Sequence, residues 1–107
     1  MAECLIVTTT VESREAADRL ANELVEGRLA ACAQVTGPVS SVYRWRGAVD
    51  RATEWACQLK TTRERLPALE QALRQRHAYQ LPELTVLPLE GSVAYLAWIQ
   101  EAVRAGP

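Results

Sequence analysis

The stretch HAYQLPE, His77 to Glu83, carries the only histidine of the chain, a tyrosine two positions on, and a Pro-Glu pair. Imidazole suits copper, zinc and nickel, and the Glu83 carboxylate can add a second donor, so His77 and Glu83 are candidate ligands for such a divalent metal. A closed protein-only site takes about four ligands and an open one about three, so two donors within one chain would have to be supplemented by a neighbouring copy. A plainer role comes first. His77 continues Leu69 and Leu73 in steps of four, which puts it at the C-terminal end of a helical stripe, where a histidine satisfies free carbonyls and meets the helix dipole. Tyr79 and Pro82 then lead the chain into a strand. Catalysis would require Lys60, Tyr79 and Glu83 to converge, or a thiol to sit beside His77, and no spacing demands either. The chain also lacks a GxGxxG run, a P-loop and a nucleophile elbow. The expectation is a protein that is not an enzyme.

The elements that would position these groups follow from periodicity. CLIVTTT (Cys4 to Thr10) is a short β-branched run, expected as a buried strand. Ser13 offers a helix N-cap, Ala17, Leu20, Ala21 and Leu24 follow at helical spacing, and Gly27 is the expected left-handed stop. LAACAQV (Leu29 to Val35) is a second strand, interrupted at Gly37-Pro38, where proline implies an edge, a bulge or a bend. Val39 to Arg46 resumes the extended pattern, with Tyr43 and Trp45 on one face. After a turn near Gly47 to Asp50, TEWACQLKTT alternates Trp55, Cys57 and Leu59 against Glu54, Gln58 and Lys60. The two runs form a long hairpin, with Trp45 and Trp55 expected as cross-strand neighbours. A second helix runs from about Glu64 to His77 behind a Thr61–Glu64 capping box, with Pro67 confined to its first turn. PELTVLPLE (Pro82 to Glu90) is a strand, and Ser92 caps a last helix bearing Tyr95, Leu96, Trp98, Ile99 and Val103.

The order β-α-β-β-α-β-α, with strand-to-helix junctions that echo one another (VTTTVESRE and LKTTRERLP), predicts an α+β ferredoxin-like fold: βαββαβ plus a C-terminal helix. Its four strands make an antiparallel sheet with the two main helices on one face. At 107 residues the whole chain, 1–107, is one domain, small enough for oligomerisation to be a useful supplement.

Composition removes several function classes. A net charge of -1 argues against nucleic acid as a partner. Arg63, Arg65, Arg74 and Arg76 surround one helix, as an anion patch or as ordinary solvated charges. Cys4, Cys32 and Cys57 are odd in number and form no CxxC pair, which fits buried thiols in a reducing, cytoplasmic setting and argues against disulfides. The first residues have no basic n-region, and no apolar run reaches the ~18 residues of a membrane span, so no membrane partner is expected. The hairpin rings are a different matter. Tyr43, Trp45 and Trp55 either fill the chain's own core or are buried against another copy.

GRLAACAQV, SVYRWRG, LKTT, HAYQLPELTVLPL and YLAWI, in this order between Cys4 and Val103, resemble the CutA divalent-cation-tolerance family. The resemblance implies a ferredoxin-like fold related to PII signalling proteins, a homotrimer, and a role in copper and other divalent-ion tolerance. It implies that Lys60, Tyr79 and Glu83 line a cleft between subunits and that the aromatic hairpin pairs between copies. A PII-like sensor of a small ligand and a purely structural partner-binding trimer are the alternatives. The family pattern commonly has His-Pro-Tyr where this chain has His77-Ala78-Tyr79. Some members carry a copper-associated cysteine where Thr9 stands here.

Overall fold

The computed structural model describes residues 3–104; the outermost ends of the 1–107 span lie outside the described residues. Among the described residues four strands and three helices follow one another: β1 (Cys4–Val11), α1 (Arg14–Glu26), β2 (Cys32–Trp45), β3 (Ala48–Thr62), α2 (Leu66–Arg76), β4 (Thr85–Pro88) and α3 (Val93–Ala102). The sheet is antiparallel throughout, in the order β2-β3-β1-β4. This is the predicted ferredoxin-like architecture. No helix among the described residues is long and apolar enough to cross a membrane.

Side-chain alternation divides the sheet into two unlike faces. On one, Leu5, Val7 and Val11 of β1 and Cys57 and Leu59 of β3 join Ala17, Leu20 and Leu24 of α1 and Leu66, Leu69 and Leu73 of α2 in a single buried cluster. On the other, α3 lies across one end of the sheet. There Lys60 reaches Tyr95 and the Cys4 thiol meets the Leu96 carbonyl. Helices α1 and α2 thus share a face as predicted, and α3 takes the opposite one.

The helix starts follow their capping chemistry. The Ser13 hydroxyl accepts from the Ala16 N–H at 3.0 Å, and the Ser92 hydroxyl accepts from the Tyr95 N–H at 3.2 Å. Two expected signals act differently. Gly27 ends α1 with φ of −79°, and Arg28 takes the left-handed conformation at φ 59°. Thr61 does not cap α2, because its hydroxyl donates instead to the Leu29 carbonyl at 2.8 Å. Helix α2 therefore starts at Leu66 without a side-chain cap, with proline in its first turn.

The hairpin departs from the expected register. Its turn is Arg46-Gly47, both at positive φ (51° and 82°), the two-residue geometry that matches strand twist. Trp45 consequently faces Ala48, not Trp55. Trp55 sits opposite the irregularity between Thr36 and Val39, where the Gly37-Pro38 bond is cis. Gly37 rests directly on the Trp55 indole, so that a Cβ there would run into the ring. Proline is tolerated because β2 is an edge strand and this is its bulge. Strand β4, Thr85–Pro88, is shorter at both ends than the expected Pro82 to Glu90.

Candidate functional site

Past the bulge, β2 and β3 extend beyond β1 as a two-stranded arm. Register puts Tyr43 opposite Asp50, Ser41 opposite Ala52, and Val39 opposite Glu54, so these side chains share one face with Trp45. The segment after α2 crosses this face before it enters β4. Between arm and segment lies a cleft of about 690 Å³. Tyr43, Trp45, Leu81 and Pro82 supply its apolar walls, and Asp50, Glu54, Glu83 and Arg44 its charges.

His77 sets the course of that segment. It is the residue at which α2 ends, its N–H bonded to the Leu73 carbonyl at 3.0 Å. Its Nδ1 accepts from the Tyr79 N–H at 3.1 Å, so the ring proton is on Nε2, which donates to the Thr10 carbonyl at 2.7 Å. The imidazole also packs on the Tyr79 ring, centroids 4.8 Å apart. The histidine thus ties the end of α2 to the end of β1 and aims Tyr79 into the cleft. Ligation of a metal by His77 would cost one of these two hydrogen bonds.

Tyr79 in turn faces Glu54. Burial first, then the hydrogen bond to Glu54 and the charges of Glu54 and Glu12, push ionisation of the Tyr79 hydroxyl far above its ordinary range. Glu54 itself is only 9% exposed, the one buried carboxylate among the described residues. None of the ion pairs among the described residues involves it. At the rim, the Arg46 guanidinium donates to the Gln80 side-chain oxygen at 3.0 Å and lies 5.4 Å from the Trp45 ring centroid, clasping the hairpin turn to the segment.

The predicted site residues thus fall into separate groups. Tyr79 and Glu83 line the cleft, with Tyr43 and Trp45 on its opposite wall. Glu83 is exposed and accepts from the Thr85 hydroxyl at 3.4 Å. Lys60 is elsewhere: its ammonium is 3.2 Å from the Tyr95 hydroxyl under α3, roughly 20 Å along β3 from Glu54 at ~3.3 Å per residue. Within one chain it shares no cleft with Tyr79. Trp55 packs against the chain's own core. The four arginines do not converge on an anion: Arg63 pairs with Glu3, Arg74 with Glu70 and Arg76 with Glu23, while Arg65 donates to the Arg28 carbonyl.

The donor set was tested against a metal. No group of three or more His, Cys, Asp or Glu among the described residues is placed to hold one. The residues of a single chain therefore do not complete a coordination shell. The Cys57 thiol is buried and pushed up to about 11, by burial first and by the charge of Asp18 second, so it is not a thiolate at neutral pH.

Glu54 is the site residue that sequence reasoning passed over. Its alternation with Trp55 assigns it to the face away from the helical core, where an acid is ordinary. What buries it is Tyr79, brought from 25 positions further along by the His77 tether. The only local signal is that three aromatic rings gather on one short hairpin.

A four-stranded ferredoxin-like sheet with a projecting hairpin arm and an acidic, aromatic cleft at its root defines an α+β protein of the ferredoxin-like class. The chain belongs to the CutA family: residues 5–102 match the CutA1 divalent ion tolerance protein family. It is 40% identical to a divalent-cation tolerance protein CutA of Thermus thermophilus, over 90% of this chain and 94% of that one. It is 37% identical to the chloroplastic Protein CutA of Arabidopsis thaliana, over 94% of this chain and 56% of the relative. The solved CutA of Synechococcus elongatus superposes with a TM-score of 0.90 at 43% identity, covering 96% of this chain and 92% of that one. A second structure of that cyanobacterial protein is complexed with a Bis-Tris molecule (TM-score 0.87, 95% of each chain).

Proposed function

We propose that this chain acts in divalent-cation tolerance as a homotrimer in the cytoplasm, contributing to copper homeostasis by weak, exchangeable metal binding. The observation that carries the reading is the cleft at the root of the arm, which Asp50, Glu54 and Glu83 line at separate places, no three donors of one chain being close enough to hold an ion. Glu83 and His77 are the donors this chain would bring, and neighbouring copies would supply the others. Engaging His77 means giving up a hydrogen bond, which keeps such binding weak. The trimer draws support from the arm, whose Tyr43 is 41% and Val49 64% exposed, surface that a neighbouring copy would bury. The three free cysteines suit a reducing compartment. We assign no catalytic step.

A second reading is favoured by the cleft walls: a small organic ligand bound between arm and segment, as in a PII-like sensor. Its support is the size of the cleft, its apolar rings, and the relative that holds Bis-Tris. Calorimetric titration with Cu(II) in a non-chelating buffer tests the metal reading. Saturable binding that disappears in His77→Ala is the expected result; binding unchanged in that variant rejects His77 as a ligand.

A further inference from the structure

Thr9 stands on β1 between Val7 and Val11, facing the helical core, and is fully buried. Its hydroxyl makes no hydrogen bond, and among the described residues it is the only buried side-chain nitrogen or oxygen left in that state. Thr61 shows the ordinary solution: equally buried, it donates to the Leu29 carbonyl at 2.8 Å. A buried hydroxyl without a partner costs stability, and native proteins keep few of them.

Beside Thr9 the core is not closed. A hollow of about 390 Å³ lies between the end of α2 and the 79–84 segment, and Thr9 forms part of its wall. Leu73, Leu81, Pro82 and Leu84 give it an aliphatic lining, and Tyr79 adds a ring. No residue of the arm, the surface that a neighbouring copy would cover, takes part in it. A buried water makes about three hydrogen bonds, and no second buried side-chain atom among the described residues is free to help hold one.

The surroundings set the chemistry of an occupant. The one buried carboxylate among the described residues, Glu54, belongs to the opposite face of the sheet, so a charged head at Thr9 would lie without a counter-charge. At the mouth Arg74 and Glu83 carry opposite charges, and Arg74 already pairs with Glu70, so the entrance selects neither anions nor cations. A hydroxyl both donates and accepts, and a neutral head with the same double capacity matches it.

We propose that this hollow binds a small uncharged molecule, with a hydroxyl or primary-amide head on Thr9 and a short branched aliphatic body against Leu73, Leu81 and Leu84. The site is independent of the metal and arm-cleft readings and shares with them only the 79–84 segment as a wall. Thr9 gives up stability in the empty protein and recovers it when the head is bound.

The test is a proton–nitrogen NMR titration of the full chain at neutral pH, with isovaleramide as probe and isovalerate as its charged counterpart. Saturable shifts should centre on the amides of Thr9, Leu73 and Leu84, with isovalerate at least about tenfold weaker. Thr9→Val, which replaces the hydroxyl by a methyl group, should weaken isovaleramide by about tenfold, and Thr9→Ser should keep it. Without ligand, Thr9→Val should unfold about 4 °C higher than the parent at equal protein concentration, because an unpartnered hydroxyl has been removed. A midpoint unchanged or lowered would show that the hydroxyl already has a partner and would overturn the proposal. So would isovaleramide binding that Thr9→Val leaves unchanged, or the absence of any saturable shift. Isovalerate binding as tight as the amide would overturn the uncharged class, and shifts confined to Tyr43 and Trp45 would overturn the location.

Discussion

The two halves of β3 make opposite use of one alternating pattern. From Cys57 to Thr61 its odd-numbered side chains are buried under α1 and α2, and everything they need is supplied by the same chain. From Ala48 to Glu54 the strand runs out into the arm, where Val49 is 64% exposed and the buried acid Glu54 forms no ion pair among the described residues. The first half is packed within the chain; the second leaves apolar surface exposed, which the proposed trimer would cover. Stability is therefore expected to reside in the first half and binding in the second, a division that substitution can test.

The largest effect belongs to the core. Leu69 is fully buried where α2 meets the sheet, and Leu69→Ala should cost ~2–5 kcal/mol in a denaturant titration, by lost transfer energy and a residual cavity. A loss under 1 kcal/mol would mean that the helical face is not the stable half. The Cys57 thiol comes next. Its folded pKa of about 11 lies above the ordinary value of 9.0, so above pH 9 the unfolded chain ionises first and is favoured. Its contribution is present in full below pH 9 and is lost between pH 9 and about 11, up to roughly 2–3 kcal/mol. Tyr79 shifts in the same direction, so the Cys57 share is the part of the alkaline slope missing from Cys57→Ala. Stability independent of pH across that window would contradict the thiol's burial.

Gly37→Ala tests the junction between the halves. The new methyl would strike the Trp55 ring, and the bulge would have to shift at ~1–3 kcal/mol. Crystallography of the variant should show the Trp55 ring displaced; an unmoved ring would refute the contact. Smallest of all, Val49→Thr on the exposed arm should change the unfolding free energy of an isolated chain by no more than ~0.5 kcal/mol. In an assembled trimer the same change should instead raise the concentration at which the subunits part.

Most of the first half was legible in the sequence, because local chemistry decides it. The right-handed crossovers of the βαββαβ order placed both main helices on one face, and Ser13 and Ser92 capped the helices they precede. Proline at position 38 marked an edge, a bulge or a bend, and it lies at the bulge of an edge strand. Where a single residue's geometry decides, local rules fell short. Gly27 precedes the left-handed residue, Arg28, and the tight Arg46-Gly47 turn moved Trp45 away from Trp55. The cleft was legible only in part. Tyr79, Glu83, Tyr43 and Trp45 do converge, but Glu54 gains its importance from a segment 25 residues distant, and Lys60 is held by Tyr95 under another helix. Such long-range meetings leave no period to detect.

The central proposal is a trimer whose neighbouring copies would complete the arm that one chain leaves exposed. Sedimentation equilibrium of the purified protein at micromolar concentration tests it most directly. The account predicts a species about three times the 11.8 kDa chain mass, persisting on dilution; a stable single copy at the same concentration would contradict it.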